Sequence, residues 1–380
     1  MTPIQFPFVS VSGTPHERGL QYGRLAADRV RLSTSMYGKT LFDLGYDERA
    51  RNELIAYFAR QIGEFAPHYL DEMRGIAEGA GVTFDEIVMV NARTEVVAKA
   101  RAEKKREADA EPGDGCTGAL IMKERSATGN LIHGQNWDWR AECANTAIVL
   151  RVRNDDGPDF LTFVEAGGLA RSGFNSRGIS ITANYLESDR DFTQLGVPLS
   201  LIRRKVLEQN HFAMAMKAVS TTPKSCSNNI TLGMAEGFGI NFECTTDEAF
   251  AIYPGDDHLI VHANHWVSPV ALSKLRDEGR GRAPESPYRD WRVRKLLNDK
   301  QMLTREDMKR ALFDDFGTPY SVARPPRPGS TEDLSATVAM VIMEPAARLM
   351  EVAPLPALNR TFTRYSLDHE PQVVEYQAPA

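Results

Sequence analysis

Cys116 follows Gly115 directly in the run Asp114-Gly115-Cys116-Thr117, an order that lets a cysteine cut its own chain. A thiol next to its own backbone can attack the carbonyl carbon of the residue before it. Glycine makes that carbonyl the least hindered target and permits strained backbone angles. The attack turns the peptide into a thioester, which water then cleaves. Cys116 would emerge with a free α-amino group, whose unperturbed pKa is about 7.7–8. That amine can take the thiol proton, so one residue would supply both nucleophile and base. Cys143, Cys226 and Cys244 read instead as small buried hydrophobes. Four cysteines in 380 residues, with no C-x-x-C pair, make neither a disulfide scaffold nor a zinc ribbon.

Two other patterns fail as chemistry. Gly113, Gly115 and Gly118 satisfy G-x-G-x-x-G, but a charged stretch precedes them and a strand follows, the reverse of a dinucleotide site. His262 and His265 stand three apart in HANHW; on a strand they point to opposite faces and cannot share a metal. No HExxH, GxSxG or P-loop occurs, so no metal or prosthetic group is expected. A papain-like arrangement would use His262 or His265 as base to Cys116, with Asn264 orienting it. This conventional Cys–His hydrolase, without self-cleavage, is one alternative. A non-catalytic binding protein on the same scaffold is the other.

The elements that must position Cys116 change character around it. The first hundred residues read as mostly helical. Thr14-Pro15-His16-Glu17 pairs an N-cap threonine with a first-turn proline and a glutamate at the third position. An apolar face at helical spacing runs through RGLQYGRLAADRVRLS, RNELIAYFARQIGEF and the segment from Phe84 to Val97. Residues 100–115 are almost wholly charged or small and read as an exposed linker. After Cys116 come strands. TGALIMKER and NLIHGQNWDW flank a hairpin turn at Ser126-Ala127-Thr128-Gly129, and AIVLRVRN, DFLTFVEA and SGFNSRGISITANYL continue the series. Residues 199–219 and 270–315 return to helix, the latter with a capping pattern from Thr304 to Asp307. ATVAMVIME and RLMEVAPL read as a closing hairpin. Grouped helices and runs of antiparallel strands predict a layered α+β architecture.

Composition bounds the partners. A net charge of −6 and a pI near 5.8 argue against nucleic acid. No apolar run approaches the roughly 18 residues of a membrane span. The N-terminus lacks the basic start and long apolar stretch of a signal peptide, and EYQAPA is no recognised address, so a cytoplasmic location is expected.

DGCTGAL followed by HGQNWDW resembles the start of the mature subunit in the acyl-coenzyme A:6-aminopenicillanic acid acyltransferase family, the isopenicillin N acyltransferases. GTPHERGLQYG, GFNSRGISITANY, SCSNNITLG and LIVHANHW are also similar to family blocks. The resemblance implies an N-terminal nucleophile hydrolase with a four-layer αββα sandwich and a helical N-terminal segment. Self-cleavage would divide it into an α subunit, residues 1–115, and a catalytic β subunit, residues 116–380, which stay associated. The chemistry implied is cleavage of a small-molecule N-acyl amide through an acyl-thioester, with hydrolysis or transfer to an acceptor amine; acyl-coenzyme A would be a substrate at most. Residue by residue, the resemblance implies Cys116 as nucleophile, Asp138 as holder of the new α-amino group, Asn264 and Asn184 as oxyanion donors, and Arg324 as a late active-site arginine. Ser227, Asn229 and His265 fall near the expected substrate pocket. Gly118-Ala119-Leu120 departs from a more polar run in relatives, which bears on the acyl group accepted. The state of assembly beyond the paired subunits is left open.

Overall fold

The structure, a computed structural model, describes residues 5–104, 115–328 and 334–379. Thr14 accepts from the Glu17 N–H while the Glu17 carboxylate reaches back to the Thr14 N–H at 2.9 Å, a complete capping box. It opens α1 (Pro15–Leu25), preceded by a strand, β1 (Phe8–Val11), that the helical reading passed over. The apolar face expected as one helix breaks at Ala26 and resumes as α2 (Ala27–Asp43). There follow α3 (Glu48–Phe65), α4 (Pro67–Ala80), α5 (Phe84–Asn91) and α6 (Arg93–Lys104). The expected linker therefore begins as helix. Its residues 105–114, and with them Gly113 and Asp114, lie outside the described residues, and its last member, Gly115, is buried rather than exposed.

From Cys116 the chain runs β2 (Cys116–Ile121), β3 (Ile132–Arg140), β4 (Ala147–Val152), β5 (Phe160–Glu165), β6 (Ser172–Asn175) and β7 (Ile179–Tyr185). Helices α7 (Leu199–Leu207) and α8 (Phe212–Thr221) precede β8 (Asn228–Met234), β9 (Gly239–Cys244), β10 (Ala249–Ile252) and β11 (Leu259–His262). Next are α9 (Pro269–Leu272), α10 (Ser286–Leu297) and α11 (Arg305–Leu312). The chain ends with β12 (Arg327–Pro328), β13 (Leu334–Glu344), β14 (Leu349–Pro354), β15 (Thr361–Ser366) and β16 (Gln372–Glu375). The capping pattern at Thr304 is present as read. Two readings need correction. The turn at Ser126–Gly129 forms as read, the Gly129 N–H donating to the Ser126 carbonyl at 3.0 Å, but the strand before it stops at Ile121 and Lys123–Arg125 is a 3-10 turn. The β13–β14 hairpin does not close the chain, since β15 and β16 extend the same sheet.

The strands form two sheets. One has the order β1-β4-β5-β6-β7-β8-β9-β10, and β1 joins it by pairing parallel with β4. The other has the order β11-β2-β3-β13-β14-β15-β16, with β12 on the side of β13. The sheets face each other. His133 and Gln135 of β3 reach Ser180, Thr182 and Asn184 of β7, and Trp137 packs edge-on against Phe163 of β5. Helices cover both outer faces. Arg204 of α7 lies over Phe160 on one side, while Met308 of α11 fills the space left by Gly134 on the other. The result is the α+β, four-layer αββα sandwich that the sequence resemblance implied, with a helical N-terminal segment laid on its first sheet.

Within that segment α1 crosses α4 at backbone contact. A Cβ on Gly75 would lie 2.2 Å from the His16 carbonyl oxygen, one on Gly19 2.0 Å from that of Glu72, and one on Gly23 2.3 Å from that of Ile76. The segment is also tied inward by charge. Glu72 of α4, buried, accepts from both Nη atoms of Arg204 at 2.9 and 2.7 Å and from Arg18 of α1 at 3.3 Å.

Candidate active site

Cys116 is the first residue of β2, at the end of the strand where the two sheets and α10 meet. Pairing of β2 with β3 sets Cys116 opposite Trp137, one residue from Asp138. The bond before Cys116 is held on both sides. The Gly115 carbonyl oxygen accepts the Asp138 N–H at 2.9 Å. The Cys116 N–H donates to Asn264 Oδ1 at 2.6 Å. Two buried guanidinium groups close around Gly115: a Cβ there would sit 3.0 Å from Arg289 and 3.1 Å from Arg324. A side chain at this position would press on both guanidinium groups. Arg289 also donates to the Cys116 carbonyl at 2.7 Å, to Thr117 Oγ1 at 2.8 Å and to Asn264 Oδ1 at 3.0 Å. The sequence reading passed over Arg289. Its position inside α10 resembles a surface helical arginine, and only the fold turns it inward.

Burial pushes the Cys116 thiol above its ordinary range, opposed by the nearby Arg171 guanidinium, one of whose Nη atoms is 4.0 Å from Sγ. Arg171 holds its guanidinium carbon over the Trp137 ring, 4.1 Å from the ring centroid. It too was not singled out by sequence.

Asp138 Oδ1 accepts from Thr337 Oγ1 at 2.6 Å, and Oδ2 lies 3.4 Å from Arg324 Nε without a hydrogen bond. Burial raises its carboxyl above the usual range, and Arg324 works against that rise. Arg324 is fully buried. It pairs with Glu285 as well, donates to the Ser321 carbonyl at 3.3 Å, and keeps Nη1 without a hydrogen-bond partner among the described residues.

The structure gives the remaining expected site residues distinct places. Asn264 meets Cys116 directly, and its Nδ2 donates to the Tyr185 carbonyl at 2.8 Å. Asn184 sits beside Gly118, one strand layer away. Its Nδ2 donates to the His262 and Ala263 carbonyls at 2.8 and 3.0 Å, and its Oδ1 accepts from Gln135 at 2.7 Å. It therefore braces the backbone that carries Asn264. Asn229 is opposite Asn184 on β8 and donates to Asn241 Oδ1 at 2.5 Å. Ser227 is bound up with Asp191, whose oxygen takes both its N–H at 2.8 Å and its hydroxyl, and with Ser188 at 2.8 Å.

The histidines differ from expectation. The strand ends at His262, so the two rings do not alternate across it; they stack with centroids 6.1 Å apart and planes 20° from parallel. His262 bonds Glu243 through Nε2 at 2.8 Å and the Ala263 carbonyl through Nδ1 at 3.0 Å. Both ring nitrogens are thus occupied away from the thiol. His265 meets Ser286 Oγ at 2.9 Å, and burial lowers its pKa to about 3. Among the described residues, no group of three or more histidine, cysteine or acidic side chains is placed to hold a metal, and no helix is long and apolar enough to cross a membrane.

The arrangement offers a thiol, a carbonyl already polarised by an N–H, and an amide nitrogen whose hydrogen is fixed. Comparison with known proteins agrees on family. The chain is 29% identical over 336 residues to the acyl-coenzyme A:6-aminopenicillanic-acid-acyltransferase 40 kDa form of Emericella nidulans, covering 85% of this chain and 86% of that protein. Solved structures that superpose on it include a mutant conjugated bile acid hydrolase from Clostridium perfringens, with a TM-score of 0.44 and 13% identity over 69% of this chain and 97% of that one. Penicillin V acylase from Agrobacterium tumefaciens superposes with a TM-score of 0.39 and 11% identity over 67% of this chain and 86% of that one. Residues 125–354, well over half of the chain, match the family model for acyl-coenzyme A:6-aminopenicillanic acid acyl-transferase, and this protein belongs to that family.

Proposed function

We propose that this acyltransferase-family protein is a self-processing N-terminal cysteine enzyme that cleaves N-acyl amides through an acyl-thioester. The observation that carries the reading is the grip on the Gly115–Cys116 peptide: the Asp138 N–H on its oxygen and Asn264 Oδ1 on its N–H. In the first event Cys116 Sγ attacks the Gly115 carbonyl carbon. The oxygen gains negative charge while the Asp138 N–H is already aimed at it, so no reorganisation is needed. The C–N bond breaks as C–S forms, and the thiol proton goes to the departing nitrogen. Water then hydrolyses the thioester, releasing the Gly115 carboxylate and a Cys116 with free thiol and amine. The Asp138 Oδ2 atom, buried beside Arg324 and without a hydrogen-bond partner among the described residues, is the acceptor left to hold that amine.

In the mature enzyme the Cys116 amine takes the thiol proton as sulfur attacks the substrate amide. The second Asn264 Nδ2 hydrogen is the candidate donor to the oxyanion, and Asn184 supports the backbone that carries it. The leaving amine accepts the proton back. Water or an acceptor amine then resolves the thioester; hydrolysis is the simpler course because transfer requires excluding water. The two fragments stay together, since β1 pairs with β4 and the Glu72–Arg204 pair crosses the cut.

Denaturing mass spectrometry of the purified protein tests this. Two fragments meeting between Gly115 and Cys116 are expected, with a Cys116→Ala chain that stays whole. An active wild-type chain that remains intact overturns the reading and returns the conventional cysteine hydrolase.

A further inference from the structure

Arg171, one of whose Nη atoms is 4.0 Å from Cys116 Sγ, also lines a small cavity of about 20 Å³, bounded by α5 and α6 on one side and by β5 and α7 on the other. That volume is enough for one or two water-sized groups. Three guanidinium groups reach it: Arg93, Arg171 and Arg203. Arg93 is matched, with Glu165 at 2.5 Å. Arg171 and Arg203 are not. Each is 8% exposed, neither forms an ion pair with a described residue, and the Nε atom of each lacks a hydrogen-bond partner. Glu95 is the nearest unspent acid. One of its oxygens is taken by the Leu199 N–H at 2.7 Å, and burial raises its pKa to about 7, so it is a weak counter-charge. Burial, with repulsion from Arg171 and Arg93, lowers the Arg203 pKa to about 9. Two buried cations without an ion-pair partner among the described residues carry a desolvation cost that an arriving anion would offset. The thiolate alone does not balance both.

We propose that Arg171 and Arg203 form a carboxylate subsite next to the nucleophile, so that the preferred substrate is an N-acyl amide carrying a carboxylate close to the scissile bond. The inference rests on the thioester reading above and names its substrate class. Arg171 bridges the thiol and the cavity, so the carboxylate must lie only a few bonds from the attacked carbonyl. An N-acylated α-amino acid, with its carboxylate on the leaving side, meets that requirement. A short diacid monoamide, with its carboxylate on the acyl side, is the other source. Arg–carboxylate geometry favours two parallel hydrogen bonds, which also fixes the orientation of the amide.

The test uses mature wild-type enzyme and three matched amides for each of several acyl groups. These are an N-acylglycine, the corresponding N-methylamide that lacks only the carboxylate, and an N-methylamide of a diacid. The expected result is that one carboxylate-bearing series exceeds the plain N-methylamides by about 10–100-fold in kcat/KM. Which series wins identifies the side that carries the charge. Arg203→Met should collapse that ratio to near one, and Arg203→Lys should restore part of it. Equal turnover of charged and uncharged amides by a wild-type enzyme that has cut itself overturns the subsite alone. A chain that neither cuts itself nor turns over any amide overturns the underlying reading instead. The wild-type ratio decides the matter even if the methionine variant fails to fold.

Discussion

Cys116 is a buried thiol whose pKa is raised by its surroundings, and this constrains the self-cleavage proposed for it. The nucleophile is the thiolate, and before cleavage no free amine stands beside it to act as base. Cleavage of freshly synthesised chain should therefore accelerate as pH rises and keep rising past the ordinary thiol value of 9.0. Denaturing electrophoresis of timed samples across that range measures it; a rate already flat near neutrality would sink the argument. Asn264 supports a second prediction. It holds the Cys116 nitrogen, and its amide group is the candidate oxyanion donor. Asn264→Ala in cleaved enzyme should lower kcat by about 10²–10³, with a much smaller change in KM. A variant that loses affinity but keeps kcat would place Asn264 in binding rather than catalysis.

At the scale of elements, the decisive contact is α1 against α4. Glycines at positions 19, 23, 75 and 79 let the two backbones touch, and Gly79 completes the set with a Cβ position 2.5 Å from the Leu20 carbonyl oxygen. These helices precede the cysteine and carry Arg18 and Glu72 into the buried charge cluster. Adding a methyl group at Gly75 forces backbone to move from backbone, not merely a flexible side chain. Gly75→Ala should cost about 1–3 kcal/mol despite the higher helix propensity of alanine. Urea unfolding compared with the wild type reads this out, and an unchanged or raised midpoint would count against the close crossing. Propensity alone predicts stabilisation, so the sign of the change discriminates.

For the whole molecule, the N-terminal segment is part of the fold rather than an appendage. It contributes a strand to the first sheet, Tyr22 and Arg93 to the region around Glu165, and Glu72 to Arg204. Removing Glu72 leaves the Arg204 guanidinium buried in the body without its bidentate partner. Glu72→Ala should therefore destabilise the molecule by about 3–5 kcal/mol, measured by denaturant unfolding. After cleavage the same variant should release its two fragments during size-exclusion chromatography under conditions where the wild-type fragments coelute. Coelution with undiminished stability would show that the pair does not join the two parts.

Sequence alone determined the features that depend on neighbours along the chain. Gly115 before Cys116 defines a bond that a thiol can reach, and the Thr14 and Thr304 capping boxes need only residues three apart. The helix and strand periods of most segments followed from alternation of apolar residues. The NWD and HANH blocks, read through family resemblance, brought Asp138 and Asn264 into view. What spacing cannot supply is partnership across layers. Arg289 and Arg171 look like ordinary exposed arginines in sequence; the sandwich buries both against Cys116. The strand at Phe8–Val11 is short, and what holds it is long-range: its parallel pairing with β4 and the burial of Val9 and Val11 in the core. His262 and His265 stack because the strand stops between them, a boundary set by the contacts of Asn264 with Cys116, Ser286 and Tyr185. The sequence supplied the adjacent Gly115 and Cys116. Tertiary structure decided which N–H, which amide and which buried charges surround it, because those groups lie far apart along the chain and meet only when two sheets and their helices pack.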